Sequence, residues 1–166
     1  IYYIISEGLE DQSFIENRTE GYEELKKNVL ALDIDELEAV SGVPREKVRA
    51  AARAYASANA AMSFHGLGVT EHYQGTYAVI QIANLAMLTG NVGKRGCGVN
   101  PLRGQNNVQG MADMGVQPYQ GAGYLDLTQP DIIAKYEAFY GGVKLPGHVG
   151  LKIPEMYDAA LAGQLK

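Results

Sequence analysis

The sequence predicts an α/β chain, helix-rich and broken by one long loop rich in Gly, Asn and Gln. Three observations carry that expectation. Apolar residues recur at helical spacing from Ile1 to about Asn59 and again from Pro130 onward. A short apolar run, Ala60-Ala61-Met62-Ser63-Phe64-His65, stands between two such stretches and stops at Gly66-Leu67-Gly68. Nine of the 20 glycines fall between Gly90 and Gly123.

The elements can be taken in order. Asp11 to Asn17 carries Phe14 and Ile15, and Tyr22 to Leu32 carries Leu25 and Val29, each at helical spacing. Asp33 is placed to cap a short helix over Ile34-Asp35-Glu36-Leu37. Pro44 marks the first turn of another, with Val48, Ala51, Ala52 and Tyr55 as its buried stripe. The run Ala60–His65 reads as a buried parallel strand after a crossover helix. Tyr73 to Thr89 reads as a helix apolar nearly all round, with no Asp, Glu, Lys or Arg between Glu71 and Lys94. Gln74, Thr76, Gln81, Asn84 and Thr89 interrupt it too often for a membrane span, so burial inside a larger protein is expected. After Asn91, more than thirty residues show little periodicity; a loop of that length in a compact domain is usually functional or disordered, and Val99, Leu102, Val108, Met111, Met114 and Val116 argue against disorder. Helices return over Asp131–Phe139 and Ile153–Leu161, separated by a Val143–Gly150 loop that contains His148. Ile1 to Ile5 reads as the middle of an apolar element and Ala162 to Lys166 as a helix barely stopped, so an internal segment is expected.

Composition excludes several classes. With 46% hydrophobic and 20% charged residues, the chain is neither a disordered tail nor a collagen-like rod. A net charge of −5 argues against a nucleic-acid surface. One cysteine forms no internal disulfide and no thiolate cluster.

Chemistry is concentrated in Asn100-Pro101-Leu102-Arg103-Gly104-Gln105-Asn106-Asn107-Val108-Gln109-Gly110. Arg103 is the only Lys or Arg between Arg95 and Lys135, and five side-chain amides surround it. Amides recognise flat heterocycles through paired donors and acceptors, and glycines let a backbone approach a ligand. A guanidinium among them offers a forked donor to a small carboxylate or phosphate. A Gly/Asn-rich turn with a solvated arginine fits the same composition. Gly66-Leu67-Gly68-Val69-Thr70-Glu71, between a strand and a helix, suits a phosphate or nucleotide; with Glu71 where a third glycine would stand, a tight turn fits as well. His65, His72 and His148 are scattered and read as packed or surface histidines, and Cys97 has no His-Asp arrangement beside it.

Gly68-Val69-Thr70-Glu71-His72, Leu85-Ala86-Met87-Leu88-Thr89-Gly90-Asn91-Val92-Gly93-Lys94 and the run Asn100–Gly110 resemble the catalytic subunits of molybdenum- or tungsten-dependent formate dehydrogenases. These belong to the bis-molybdopterin guanine dinucleotide oxidoreductases. Asp113-Met114-Gly115 and Ile153-Pro154-Glu155-Met156 continue the resemblance in order, as do Ser6-Glu7-Gly8-Leu9 and Arg18-Thr19-Glu20-Gly21. The resemblance implies incomplete Rossmann-like αβα segments, with residues 1–105 the later half of one pterin-binding domain and 106–166 the start of a second. It implies that Arg103 holds the formate carboxylate beside the metal and that Gln105 touches the pterin. By the same resemblance Gly66, Gly68 and Glu71 lie in a loop against the pterin, and Gly104 and Asn106 set the backbone around the arginine. The full enzyme would oxidise formate to carbon dioxide using the bis-molybdopterin guanine dinucleotide with Mo or W. Electrons would pass to a 4Fe-4S cluster held outside this segment.

The implied partners are formate, the remaining domains of the same subunit and electron-transfer subunits, without nucleic acid or a membrane span, in the cytoplasm. The family's cysteine or selenocysteine metal ligand, its neighbouring histidine and its cluster cysteines are absent from this sequence, and Cys97 does not match the ligand. This chain alone is therefore expected to be inactive. Met111-Ala112 stands where relatives often have Ala-Cys. Two rival readings are another oxidoreductase of the group, such as a nitrate reductase, and a non-catalytic binding or assembly module.

Overall fold

A computed structural model describes residues 1–165, which divide after Gly104 into two compact units. The class is α/β, dominated by helices.

The first unit, Ile1–Gly104, opens with five helices: α1 (Tyr2–Ser6), α2 (Gln12–Arg18), α3 (Tyr22–Leu30), α4 (Ile34–Ser41) and α5 (Arg45–Ser57). Their boundaries obey the expected punctuation. The Asp11 carboxylate accepts the Phe14 N–H at 2.9 Å to start α2, and Asp33 accepts the N–H groups of Asp35 and Glu36 to start α4. Gly42 ends α4 in the left-handed region at φ 66°. Pro44 occupies the cap of α5 rather than its first turn. Ile4, Ile5, Ile15, Val29 and Leu88 form the buried core, with Leu9, Tyr22, Leu25 and Leu85 packed around it. Glu7, at the end of α1, takes Nε of Arg49 at 2.5 Å and Nε of Arg53 at 2.6 Å, which fastens α1 to α5.

Strand β1 (Met62–His65) comes next, then the single turn α6 (Leu67–Thr70), α7 (Gly75–Leu88) and β2 (Gly98–Pro101). The two strands pair in parallel, from Met62 opposite Gly98 to His65 opposite Pro101. Parallel partners need a crossover, here made by α6 and α7. The Asp11 N–H donates to the Leu88 carbonyl at 2.9 Å, so the end of α7 is tied to the start of α2.

Burial corrects several expectations. In the α5 stripe only Ala52 and Tyr55 are partly covered, while Ala51 and Val48 are exposed. The strand is parallel as expected but not buried: Met62 is 47% and Phe64 63% exposed, because a two-stranded sheet leaves one face open. The start of the long apolar helix moves to Gly75; within this chain Ala86 and Leu88 are buried and Tyr77 and Ile80 are left for burial against further protein, in line with the expectation. The loop after Asn91 is not wholly irregular, since it contains β2 and a further helix.

The second unit, from Gln105 onward, contains that helix, α8 (Val108–Asp113), then a 3-10 turn (Ala122–Tyr124), α9 (Pro130–Phe139) and α10 (Ile153–Leu161). Gly115 is required where it stands: φ is 85°, and a Cβ there would lie 2.6 Å from the Ala122 nitrogen. The Tyr136 hydroxyl donates to the Ala122 carbonyl, and Glu155 accepts the Lys152 N–H at 2.7 Å to start α10. No helix among the described residues is long and apolar enough to cross a membrane.

Candidate functional site

The carboxyl ends of β1 and β2 carry most of the residues singled out from the sequence. Because the strands are parallel, His65 and Pro101 finish side by side, and the segments beginning at Gly66 and Leu102 both emerge at the same edge. The ladder extends one step further, with the Leu102 N–H donating to the His65 carbonyl at 2.7 Å. Gly66 caps α6 in extended backbone, and a Cβ added there would meet the Leu102 carbonyl oxygen at 3.6 Å. A Cβ on Gly104 would overlap the Leu67 side chain. The Gly66–Leu67 turn and the Leu102–Gly104 segment therefore lie against each other, across a gap of more than thirty residues in sequence.

Arg103 projects from this edge, exposed, with no hydrogen bond or ion pair among the described residues. Glu71 is also exposed, at the end of α6, and does not pair with Arg103. Gly68 is exposed within α6. Gln105 and Asn106 are the first residues of the second unit, both exposed, leading into α8 through Asn107 in left-handed conformation at φ 57°. Thus the fold gathers Gly66, Arg103 and Gly104 at one strand-end edge, with Gly68 and Glu71 on the turn that leaves it. Chemically, this edge offers a guanidinium with no ion-paired acid among the described residues and, at Gly68, glycine backbone open to close approach. Such a surface can hold an anionic, flat or phosphorylated group.

The opposite, amino-terminal ends of the two strands are joined by a residue to which the sequence motifs assigned no role. Asn91 is 1% exposed. Its Nδ2 donates to Thr89 Oγ1 at 2.8 Å, and its Oδ1 accepts from the Ala61 N–H at 3.0 Å and from Cys97 Sγ at 3.1 Å. One amide thereby joins the end of α7, the residue before β1 and the residue before β2. Nothing in its own sequence neighbourhood signals this except that it is a polar residue in an uncharged apolar stretch. Cys97 is a partner in that clamp. His65 is buried with Nδ1 unpartnered, the His148 ring contacts the Pro146 carbonyl, and no group of three potential metal ligands occurs among the described residues.

The remaining titratable contacts lie away from this edge. Glu7 is held below the usual carboxylate range by hydrogen bonds from Arg53 and then Arg49, and Glu38 by the backbone and side chain of Arg45. Burial, and next the Glu10 carboxylate, push the Tyr22 hydroxyl up.

Comparison with known proteins gives this edge a context. The sequence profile of the family described as molybdopterin oxidoreductase matches residues 2–166. Formate dehydrogenase H of Escherichia coli is 43% identical over 165 residues, covering 99% of this chain and 23% of that protein. The F420-dependent formate dehydrogenase 2 subunit alpha of Methanococcus maripaludis is 45% identical over 157 residues, 95% of this chain and 23% of that subunit. A probable oxidoreductase of Bacillus subtilis is 35% identical over 164 residues, 99% of this chain and 16% of its own length. The chain thus spans about a quarter or less of the curated relatives it matches.

Proposed function

We propose, from the premise that this chain belongs to the molybdopterin oxidoreductase family, that it forms part of a formate dehydrogenase catalytic subunit. In this reading it supplies the arginine that holds formate and part of the pterin cradle. The observation that carries the reading is the exposed, unpaired Arg103 at the shared end of two parallel strands, beside the glycine turn Gly66–Gly68. Ligands of open α/β sheets bind at the carboxyl ends of strands.

The residues fit the pterin dinucleotide chemically. Gly66 and Gly104 let the two strand-end segments pack on each other, Leu67 filling the space beside Gly104, while Gly68 has open space where a side chain would stand. In the first unit Gly68 and Glu71 add exposed backbone and a carboxylate, and in the second unit Gln105 and Asn106 carry exposed amides of the kind that pair with heterocycle edges. The bound cofactor supplies the two-electron acceptor chemistry. The chain's own contribution is to bind and orient. Arg103 presents two parallel N–H donors to the two formate oxygens, which fixes the direction of the C–H bond. As formate becomes carbon dioxide its negative charge leaves the oxygens, so the arginine chiefly sets address and orientation. The metal (Mo or W), the 4Fe-4S cluster and the electron-transfer partners belong to parts of such an enzyme that this chain does not contain.

The test is Arg103→Ala and Arg103→Lys in a full-length catalytic subunit carrying this sequence. Loss of a charge-assisted fork should raise the formate KM and lower kcat, costing about a hundredfold or more in kcat/KM. Lysine should fail too, since one ammonium does not reproduce the fork. Unchanged formate kinetics in Arg103→Ala would overturn the reading.

A further inference from the structure

The turn α6 ends unusually. It is four residues long and stops at Thr70, with Glu71 at φ −90° and ψ 48°. Had the helix continued, the Gly68 carbonyl would have accepted the backbone N–H of residue 72. Instead it contacts Nε2 of the His72 ring at 2.6 Å. A carbonyl oxygen only accepts, so Nε2 carries the proton. A histidine side chain near a helix end can satisfy a last carbonyl in this way. The same residue acts in the other direction, because the His72 carbonyl accepts the Gly75 N–H at 2.9 Å, where α7 begins. Behind it, a Cβ on Gly75 would overlap the Thr70 carbonyl oxygen, so the α6–α7 junction is already closed by backbone packing.

Resting on the function proposed above, we propose that His72 is a positioning residue for the cofactor-facing turn Gly66–Glu71. Its ring holds the Gly68 carbonyl and its backbone holds the start of α7. Glu71, between them, is kept exposed and without a protein partner among the described residues. His72 touches neither substrate nor cofactor in this role. It acts through the conformation of the turn.

Two substitutions separate this role from bulk. His72→Phe keeps a flat ring and removes the donor. His72→Gln places an amide N–H at the same reach. In a full-length, cofactor-loaded subunit, the Phe variant should lose roughly threefold to tenfold in pterin retained after dialysis, the scale of one lost hydrogen bond. Its kcat/KM should fall in parallel, and the Gln variant should restore both to within about twofold. In this chain itself, 15N NMR of the His72 ring should show the Nε2-protonated tautomer. Full cofactor retention and kinetics in the Phe variant, equal losses in Phe and Gln, or an Nδ1-protonated ring would each overturn the proposal. Arg103→Ala serves as the control. If it abolishes formate turnover while His72→Phe does nothing, the function stands and the His72 role falls. If neither changes formate kinetics, the function falls, and the tautomer still decides whether the ring holds the turn.

Discussion

Asn91→Ala should be the costliest single change at the amino-terminal ends of the two strands, although Asn91 lies outside the expected ligand surface. The side chain is 1% exposed and makes three hydrogen bonds, to Thr89, Ala61 and Cys97. Two are neutral N–H bonds, each worth about 0.5–1.5 kcal/mol net, and the thiol contact adds less. Truncation also leaves the partly buried Ala61 N–H without an acceptor, a cost of about 1–3 kcal/mol if water does not replace it. Together these give about 2–6 kcal/mol, a large share of a typical domain's stability. The assay is urea unfolding monitored by far-UV circular dichroism and tyrosine fluorescence, the chain having no tryptophan. At a slope of about 2 kcal/mol per molar urea, the midpoint should fall by roughly 1–3 M. Because Asn91 belongs to the first unit, the shift should appear in that unit's transition.

The same clamp offers a second readout. Cys97 is the only cysteine, so a thiol reagent reports on it alone, and its reaction rate should rise when Asn91 no longer holds the sulfur. Asn91→Asp adds a sign test. A carboxylate keeps the acceptor for Ala61 but loses the donor to Thr89, whose hydroxyl already donates to the Leu85 carbonyl. Burial without that donor raises the pKa of the new carboxyl, so the native state binds its proton more tightly than the unfolded state does. Stability of the variant should therefore be greatest in acid and fall as pH rises through the folded pKa. An Ala variant within about 0.5 kcal/mol of the parent, a surface-substitution value, with unchanged thiol reactivity would refute the clamp.

Two other sites give measurable outcomes. Gly75→Ala should destabilise by about 1–3 kcal/mol, because a Cβ there overlaps the Thr70 carbonyl oxygen and backbone overpacking exceeds the gain of up to about 1 kcal/mol in helix propensity; a stabilised variant in thermal unfolding would contradict the closed α6–α7 junction. Glu7 is depressed chiefly by its hydrogen bonds from Arg53 and Arg49, so its stabilisation is complete above the ordinary glutamate range and is lost as pH falls through its lower folded value. Glu7→Gln should flatten that acid limb of the stability profile, and an unchanged limb would assign it to other carboxylates.

The helices are legible in the sequence because their signals are local. Asp11 and Asp33 cap from one turn away, and Gly42 and Pro44 mark the gap between α4 and α5 without help from distant residues. β1 is legible as a short apolar run, but β2, Gly98-Val99-Asn100-Pro101, is not. It has one strongly β-forming residue and is a strand only because β1 lies beside it. Burial departs from expectation at Met62, Phe64 and Val48, since apolar character states what a residue can bury against, not whether a partner is there. At the candidate site, residue types point to Arg103, while its neighbours Gly66 and Leu67 depend on strand register. The Asn91 clamp spans Ala61 to Cys97 and leaves no periodic trace.

Being unpaired does not by itself single out Arg103, since Arg18 and Arg95 also lack partners among the described residues. The chain's other arginines are engaged: Arg45 with Asp35 and Glu38, Arg49 with Glu7 and Glu46, Arg53 with Glu7. Those pairs are partly exposed and brace helices. What distinguishes Arg103 is position joined to availability. A parallel pair brings both carboxyl ends to one edge, whereas an antiparallel pair would have sent the Gly66 turn and Arg103 to opposite ends of the sheet. At that edge Glu71, the one acid on the adjoining turn, leaves the guanidinium unneutralised. On the proposed reading an external carboxylate would therefore meet a cation with no ion-paired partner among the described residues, on a strand pair whose beginnings Asn91 joins.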